Sequence, residues 1–360
     1  MSVDQHSLAT KAASPATSPA ADALACPTAT VGQRLARRSF PLPRRRASII
    51  MALMLVLALA LIAWYMTVGV SAGWDFVLLF RGRRVAAMVL VGIAIAVSTV
   101  AFQTLTGNRI LTPSIMGFDA LYQTITTGVM FVLGGTAAVQ LGELTRFSVS
   151  LTVMLAASLG LFLWLFAGAK RSIHIVLLVG IVLGTLLRSV NALMVRMMDP
   201  AESLVLQGQL FASFTGVDES LLIVGAVIVI ASCGGLFAMR RTLDVMALGQ
   251  DTAVALGVAY RRSLVLVIAL ICLLVATSTA LVGPITFFGL LVANLAYAIS
   301  RSHRHADNLP LAALLAVVTL VGGQLLLEHV LNMGTVLSVV IDFVGGIAFI
   351  ALLIVGLRKR

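Results

Sequence analysis

The chain has 360 residues, of which 60% are hydrophobic and only 11% are charged, and its mean hydropathy is +1.07. Soluble proteins carry roughly 25% charged residues, so this composition excludes a water-soluble fold and predicts an all-α polytopic membrane protein. The formal net charge of +11 does not indicate nucleic-acid binding, because the basic residues form short clusters between apolar runs.

Residues 1–47 precede the first apolar run and are rich in Ala, Ser, Thr and Pro. A segment with so few large apolar residues buries too little surface to fold, so we predict a disordered cytoplasmic N-terminal tail. The run at 48–68 is long enough to span a membrane and longer than a typical signal-peptide core. We therefore predict that it is retained, with a cleaved signal as the alternative.

Nine further apolar runs follow the first. They lie at about 85–106, 114–134, 147–168, 174–195, 220–239, 263–282, 285–300, 309–327 and 336–357. Together the runs predict ten transmembrane helices in one membrane domain that covers residues 48–357. The stretch 203–216 is too brief to cross a membrane, and we predict a short helix at the surface there.

The distribution of basic residues predicts the topology. With the N-terminal tail in the cytoplasm, 19 of the 25 Lys and Arg residues fall on the inner side of the ten predicted spans. The positive-inside rule therefore predicts that both termini are cytoplasmic. Half of the six exceptions are Arg81, Arg83 and Arg84, in an RGRR run that we predict to be a short outer loop before the second span.

The sequence contains no Gly-Lys pair, so it has no Walker A phosphate loop. Uphill transport would then draw energy from a partner ATPase or from an ion gradient. A gradient requires ionisable groups inside the membrane, and the candidates are Asp119, Arg188 and Asp342. We predict Asp119 near a helix end close to the cytoplasmic surface. A gradient-driven secondary transporter that uses Asp119 and Asp342 remains the alternative from a different class.

Metal ligands and catalytic groups do not cluster in the predicted spans. The five histidines fall in predicted tails, loops or span ends, and the three cysteines lack the spacing of metal ligands. We read the RSHRH run at 301–305 as a cytoplasmic basic loop. The pattern predicts no metal site, and it gives little support to a third hypothesis, a membrane-embedded enzyme.

The cytoplasmic segment 240–262 is long for a connection in so compact a protein. Basic pairs bracket it, and an apolar and polar stretch with helical spacing lies between them. The alternatives are a helix that rests on the membrane surface and a docking helix for a soluble partner.

Three motifs make the sequence similar to the FecCD-type permeases of ABC importers over about residues 48–357. LGQDTAVALGV at 248–258 resembles the ATPase-coupling segment of that family, although Gln250 replaces the usual acid. GPITFFGLLVANLA at 283–296 resembles a helix-opening motif, with Ala293 and Asn294 where the family has Pro-His. GNRILTPSIMGFDALY at 107–122 resembles a cytoplasmic loop motif, and its wording is closest to permeases for catecholate siderophores.

The resemblance assigns roles to individual residues. The matching positions are Gly249, Asp251, Ala253, Leu256 and Gly257 for ATPase coupling, Gly283, Pro284, Ile285 and Gly289 for the helix opening, and Asn108, Pro113 and Gly117 for the loop. Arg81 and Arg84 occupy the two arginine positions of a family motif that meets acidic residues of the binding protein, and Arg83 stands at the proline position.

The resemblance also implies a transporter of several subunits. It would have the type II ABC importer permease fold and would carry a ferric siderophore, with haem or cobalamin as the alternative. A second permease, identical or different, a cytoplasmic ABC ATPase dimer and a periplasmic or lipid-anchored siderophore-binding protein would complete it. ATP would bind to the ATPase, and this chain would bind no cofactor and no nucleic acid.

Overall fold

The computed structural model describes residues 44–68, 74–134, 142–167, 173–329 and 336–358, so most of the predicted N-terminal tail lies outside the described residues. The described residues form thirteen α-helices and a short 3-10 turn at Ser114–Met116, with no strand among them. The helices are α1 Arg44–Thr67, α2 Trp74–Thr106, α3 Phe118–Leu133, α4 Glu143–Ala167, α5 Ile173–Met197, α6 Pro200–Leu210, α7 Glu219–Ala238, α8 Arg240–Met246, α9 Gln250–Ala255, α10 Tyr260–Val282, α11 Phe288–Ser300, α12 His305–His329 and α13 Leu337–Arg358.

Seven of the described helices are long and apolar enough to cross a membrane, and they are α1, α2, α4, α5, α7, α10 and α12. Helix α11 and the Leu337–Ala351 part of α13 are apolar but shorter, and α3 has 16 residues. The short helix predicted near 203–216 is α6, which begins slightly earlier, with Pro200 in its first turn and the Asp199 carboxylate accepting the Ala201 N–H at its start.

The RGRR run is not a loop, so that prediction was wrong. Residues 81–84 lie inside α2, which has 33 residues and begins at Trp74. Hydropathy marks where a helix enters lipid, whereas the helix itself continues wherever its residues favour it, and arginine is a good helix former. The three arginines therefore belong to a continuous helix.

Helices α2 and α10 form the centre of the bundle. In their apolar windows 72% and 61% of residues are buried, against 11% in α1 and in α5. Small residues let the helices approach closely, as expected where lipid provides no hydrophobic drive for association. At Gly92 of α2, for example, a Cβ atom would lie 3.4 Å from the Ala316 side chain of α12.

The bundle has two ends with different chemistry. At one end Tyr65 of α1 hydrogen-bonds to Glu328 of α12. At the other, the first residue of α12, His305, hydrogen-bonds to Asp244 of α8. We call the first the arginine end, because it carries residues 81–84, and the second the coupling end, because it carries α8 and α9.

The contact between α11 and α2 at Gly289 generates a stability prediction. A Cβ atom there would lie 2.2 Å from Thr99 Oγ1 and 3.1 Å from Ile95 Cγ2. We expect Gly289→Ala to lower the free energy of unfolding by roughly 1–3 kcal/mol through overpacking. Thermal unfolding in detergent measures it.

A second substitution tests the cause. In a Thr99→Ala background, which removes the clashing oxygen, Gly289→Ala should destabilise less. Gly128→Ala in α3 is the matched control, because no atom lies within 4 Å of its Cβ position. An equal loss of stability with and without Thr99 would contradict the packing argument.

Candidate functional site

The 240–262 segment folds into two short helices at the coupling end. Leu243 and Met246 of α8 and Ala253 of α9 are buried and anchor the segment to the bundle. Gly249 and Gly257 flank α9 with φ angles of 99° and 83°. Only glycine adopts this left-handed region without strain, so both positions turn the chain sharply.

Three large apolar side chains of this segment point away from the bundle. Leu248, Val254 and Leu256 are 61%, 55% and 60% exposed, and we call them the α9 face. Asp251, in the first turn of α9, is also exposed. Exposed apolar residues between basic pairs have the composition of a docking surface, with an apolar centre and a polar rim.

The 107–117 loop is held by hydrogen bonds to its own chain and to two helices. Asn108 Oδ1 accepts the Ile110 N–H at 2.9 Å, which forms a local turn. The Arg109 carbonyl accepts hydrogen bonds from Gln103 Nε2 at 2.7 Å and from Asn294 Nδ2 at 3.1 Å. Asn294, at the position of the family's histidine, therefore fastens this loop to α11.

Gly117 brings the end of this loop into the interior of the bundle. Pro113 starts the 3-10 turn, and Gly117 follows it with φ of 103°. A Cβ atom on Gly117 would lie 2.9 Å from the Cα of Gly184, near the middle of α5. Helix α3 thus begins inside the bundle, and so does Asp119 in its first turn. Asp119 lies near a helix end, as predicted, and is buried, whereas its placement close to the cytoplasmic surface stays a prediction.

The GPITF motif forms the break between α10 and α11. Gly283 has φ of 102°, and its Cβ position lies 3.0 Å from the Cα of Ala212. Pro284 has no N–H and cannot continue α10, while Ile285 is buried. The break therefore packs against the chain that follows α6, with no space for a side chain at Gly283.

Asp119 and Asp342 both accept hydrogen bonds from this break. Thr286 Oγ1 donates to Asp119 Oδ2 at 2.8 Å, and the Phe287 N–H donates to Asp342 Oδ1 at 3.1 Å. Phe287 precedes α11, so the carboxylates lie where helix N–H groups favour negative charge. Asp119 Oδ1 is buried without a hydrogen-bond partner among the described residues.

Arg84 takes part in a polar cluster at the arginine end. A single carboxylate oxygen, Glu328 Oε1, accepts hydrogen bonds from Arg84 Nη1 at 2.7 Å, Gln324 Nε2 at 2.8 Å and Tyr65 OH at 3.0 Å. The Arg84 and Glu328 side chains are only 13% and 10% exposed. The ion pair therefore joins α1, α2 and α12, and removing one partner would leave the other charge buried.

The other two arginines of the run are also engaged. Arg81 Nη1 donates to the carbonyls of Tyr65 and Val68, which end α1. Arg83 pairs with Glu219 at the start of α7 at 2.6 Å, in an exposed ion pair. Beside Glu219, hydrogen bonds from the Ser220 backbone and hydroxyl hold the pKa of the Asp218 carboxyl below its usual value.

A cavity of about 510 Å³ opens between α3, α4, α6, α7, α10 and the 211–217 stretch. Its size falls within the range of small-molecule sites. Polar groups, among them Tyr122, Thr126 and Arg146, share its walls with apolar residues. Thr215, which also lines it, accepts a hydrogen bond from Arg84 Nη2 at 3.2 Å, so the cavity adjoins the arginine cluster. The sequence does not reveal this cavity, because its lining comes from six separate segments of the chain.

His305 departs from its prediction. The 301–305 run was read as a basic loop, but His305 is the first residue of α12, and it is 4% exposed. Its ring contacts Asp244 and Thr104 at 2.6 Å each. Within the described ranges, no group of three or more His, Cys, Asp or Glu side chains is placed to hold a metal ion.

Comparisons with known proteins agree on one family. The FecCD transport family matches residues 47–355. The petrobactin import system permease protein YclO of Bacillus subtilis is 42% identical over 281 residues, which cover 78% of this chain and 89% of that protein. The petrobactin import system permease protein FatC of Bacillus anthracis is 36% identical over 290 residues, covering 79% of this chain and 80% of that protein.

A solved structure shows the same fold. It is described as an inward-facing conformation of a metal-chelate type ABC transporter. The TM-score is 0.75 at 20% sequence identity, and the similarity covers 85% of this chain and 99% of that chain.

Proposed function

Because the chain belongs to the FecCD transport family, we propose that it is the permease subunit of an ATP-driven importer that moves iron(III)-siderophore chelates by alternating access. Membership in a permease family makes the chain a transport subunit and not an enzyme, with ATP hydrolysed on a separate subunit. The single observation that carries the substrate class is 42% identity, over 281 residues, to a petrobactin permease.

The substrate proposal narrows to catecholate-type siderophores. Both Bacillus relatives are named for petrobactin, a siderophore of that type. The IMGFDALY motif at 115–122 favours the same subgroup. Haem and cobalamin remain the alternatives within the family.

The hydrogen bonds of Asp119 and Asp342 argue against the alternative of a gradient-driven secondary transporter. Those two acids were the groups that would carry the coupling ion. Instead, Asp342 accepts the Phe287 N–H that precedes α11, and Asp119 accepts the Thr286 hydroxyl, so both are engaged at the α10–α11 break.

We propose ten membrane-spanning helices, namely the seven of spanning length together with α3, α11 and α13. Tyr65 and Glu328 meet at the arginine end, so α1 and α12 point the same way, which supports an N-terminus at the coupling end. The positive-inside count makes that end cytoplasmic. The chain would then lie in the bacterial inner membrane, with both termini in the cytoplasm.

The proposed partners are a second permease, identical or different, an ABC ATPase dimer and a periplasmic or lipid-anchored siderophore-binding protein. The α9 face would receive the ATPase, and Gly249, Asp251, Ala253, Leu256 and Gly257 would form the coupling segment. Arg81 and Arg84 would lie where the binding protein docks. The cavity beside Arg84 would lie on the same side.

Reconstitution tests the function directly. Vesicles that contain this chain, its second permease and the ATPase should take up iron-labelled ferric petrobactin when ATP and the binding protein are supplied. Uptake with this chain alone and a proton gradient would overturn the proposal. Uptake of cobalamin or haem in place of the ferric chelate would overturn the substrate class.

The α9 face yields a coupling prediction. Leu256→Glu should reduce uptake and chelate-stimulated ATP hydrolysis by roughly tenfold or more, because a charge replaces a central apolar contact. Leu204→Glu on α6 is the matched control, because it changes a leucine of similar exposure (69% against 60%) outside the coupling segment. Equal activity of the two variants would remove the docking role of α9.

The arginine end yields a docking prediction. Arg81→Glu and Arg84→Glu should weaken binding-protein affinity, most at low salt, because interface charges act through screened electrostatics. Arg84→Glu also breaks the buried ion pair, so Glu328→Gln serves as the control that breaks the pair and leaves both arginines in place. Affinity measured against salt concentration separates the effects: a loss in Glu328→Gln as large as in Arg84→Glu would assign Arg84 to folding alone.

A further inference from the structure

Three polar side chains from distant parts of the sequence form a continuous chain at the coupling end. The His305 ring lies 2.6 Å from Asp244 through Nδ1 and 2.6 Å from Thr104 through Nε2. The His305 backbone N–H also donates to Asp244 Oδ1 at 2.8 Å. The contacts join α8, the start of α12 and the end of α2.

The chain of contacts is buried at its centre and open at one end. The His305 side chain is 5% exposed and the Asp244 side chain 33%. Buried hydrogen bonds of this kind are strong, because no water competes for the partners. Asp244 belongs to the 240–262 segment, whereas Thr104 belongs to α2, the most buried spanning helix. One end therefore lies where an ATPase would push, and the other in the last turn of the most buried spanning helix.

The residues before His305 hold it in place. Ser300 Oγ donates to Asn308 Oδ1 at 2.6 Å, and Ser302 Oγ donates to Asp307 Oδ2 at 2.9 Å. Asn308 Nδ2 donates back to the Ser302 carbonyl at 3.0 Å. The turn from α11 to α12 is thus cross-braced, so His305 cannot follow Asp244 without moving α12 as well.

We propose that His305 is a positioning residue for energy coupling, which transmits a displacement of the ATPase-docking segment from Asp244 to α12 and, through Thr104, to α2. The inference rests on the proposed function of residues 240–262. It adds a route by which movement at the α9 face reaches the helices of the core, through three short hydrogen bonds rather than apolar contacts alone.

An Asp-His-hydroxyl order also occurs in hydrolase triads. Thr104 is not placed for that chemistry. Its hydroxyl donates to the Val100 carbonyl of its own helix at 2.9 Å. The Val100 carbonyl thus competes with His305 for the single hydroxyl proton of Thr104, which works against its transfer to the imidazole, and the role that fits the geometry is mechanical.

The test uses the complete transporter in vesicles and measures the ATP hydrolysed per ferric chelate imported. Thr104→Val removes the hydroxyl at nearly constant shape and should raise this ratio about fivefold or more, the usual lower range of coupling between sites. Thr104→Ser restores the hydroxyl and should return the ratio towards that of the unmodified transporter. Thr319→Val in α12 is the matched control, because its hydroxyl donates to the Leu315 carbonyl one turn earlier.

A second variant tests the same inference if the Thr104→Val transporter does not assemble. Asp244→Asn alters the more exposed end of the chain and should raise the same ratio, and the double variant should be no worse than the more severe single one. Unchanged ratios in Thr104→Val, or in Asp244→Asn where Thr104→Val does not assemble, would overturn the inference. If the unmodified transporter shows no ATP-dependent uptake at all, the proposed function fails instead.

Discussion

Every backbone N–H and C=O group inside a lipid bilayer must find its partner within the protein, and the architecture of this chain depends on that constraint. Continuous helices satisfy it without help. The start of α3 and the break between α10 and α11 do not, because helix ends leave N–H groups open. Asp342 closes one of them by accepting the Phe287 N–H, and Asp119 binds the neighbouring Thr286 hydroxyl. Asp342, a candidate ion carrier in the sequence, thus satisfies irregular backbone inside the bundle, and Asp119 binds a side chain of the same break.

The spanning helices were largely predictable, because hydropathy is a local property of the chain. The run predicted at 263–282 is α10, Tyr260–Val282, and the run at 309–327 is α12, His305–His329. The glycine motifs were equally informative, since Gly117, Gly249, Gly257 and Gly283 all have positive φ angles. A motif that requires glycine predicts a backbone conformation, and a few adjacent residues determine that conformation.

Pairs between distant residues were not predictable. Arg84 and Glu328 are 244 positions apart, and His305 and Asp244 are 61 apart. The charge count covered only Lys and Arg, so it placed Arg84 on the outer side of the membrane without identifying its partner. Asn294 is a similar case: as a departure from a family motif it carried no role, yet it binds the Arg109 carbonyl. Packing of the helices determines which polar residues become partners, and hydropathy alone does not predict that packing.

The α9 face is exposed to solvent until the ATPase binds. Leu248, Val254 and Leu256 stand free of the bundle at the end that we assign to the cytoplasm. Exposed apolar residues of this kind are what chaperones and proteases bind on unassembled subunits. A permease made without its ATPase would carry a degradation signal on its surface, and docking would hide it. The same three leucine and valine side chains would thereby keep the subunits in matched numbers.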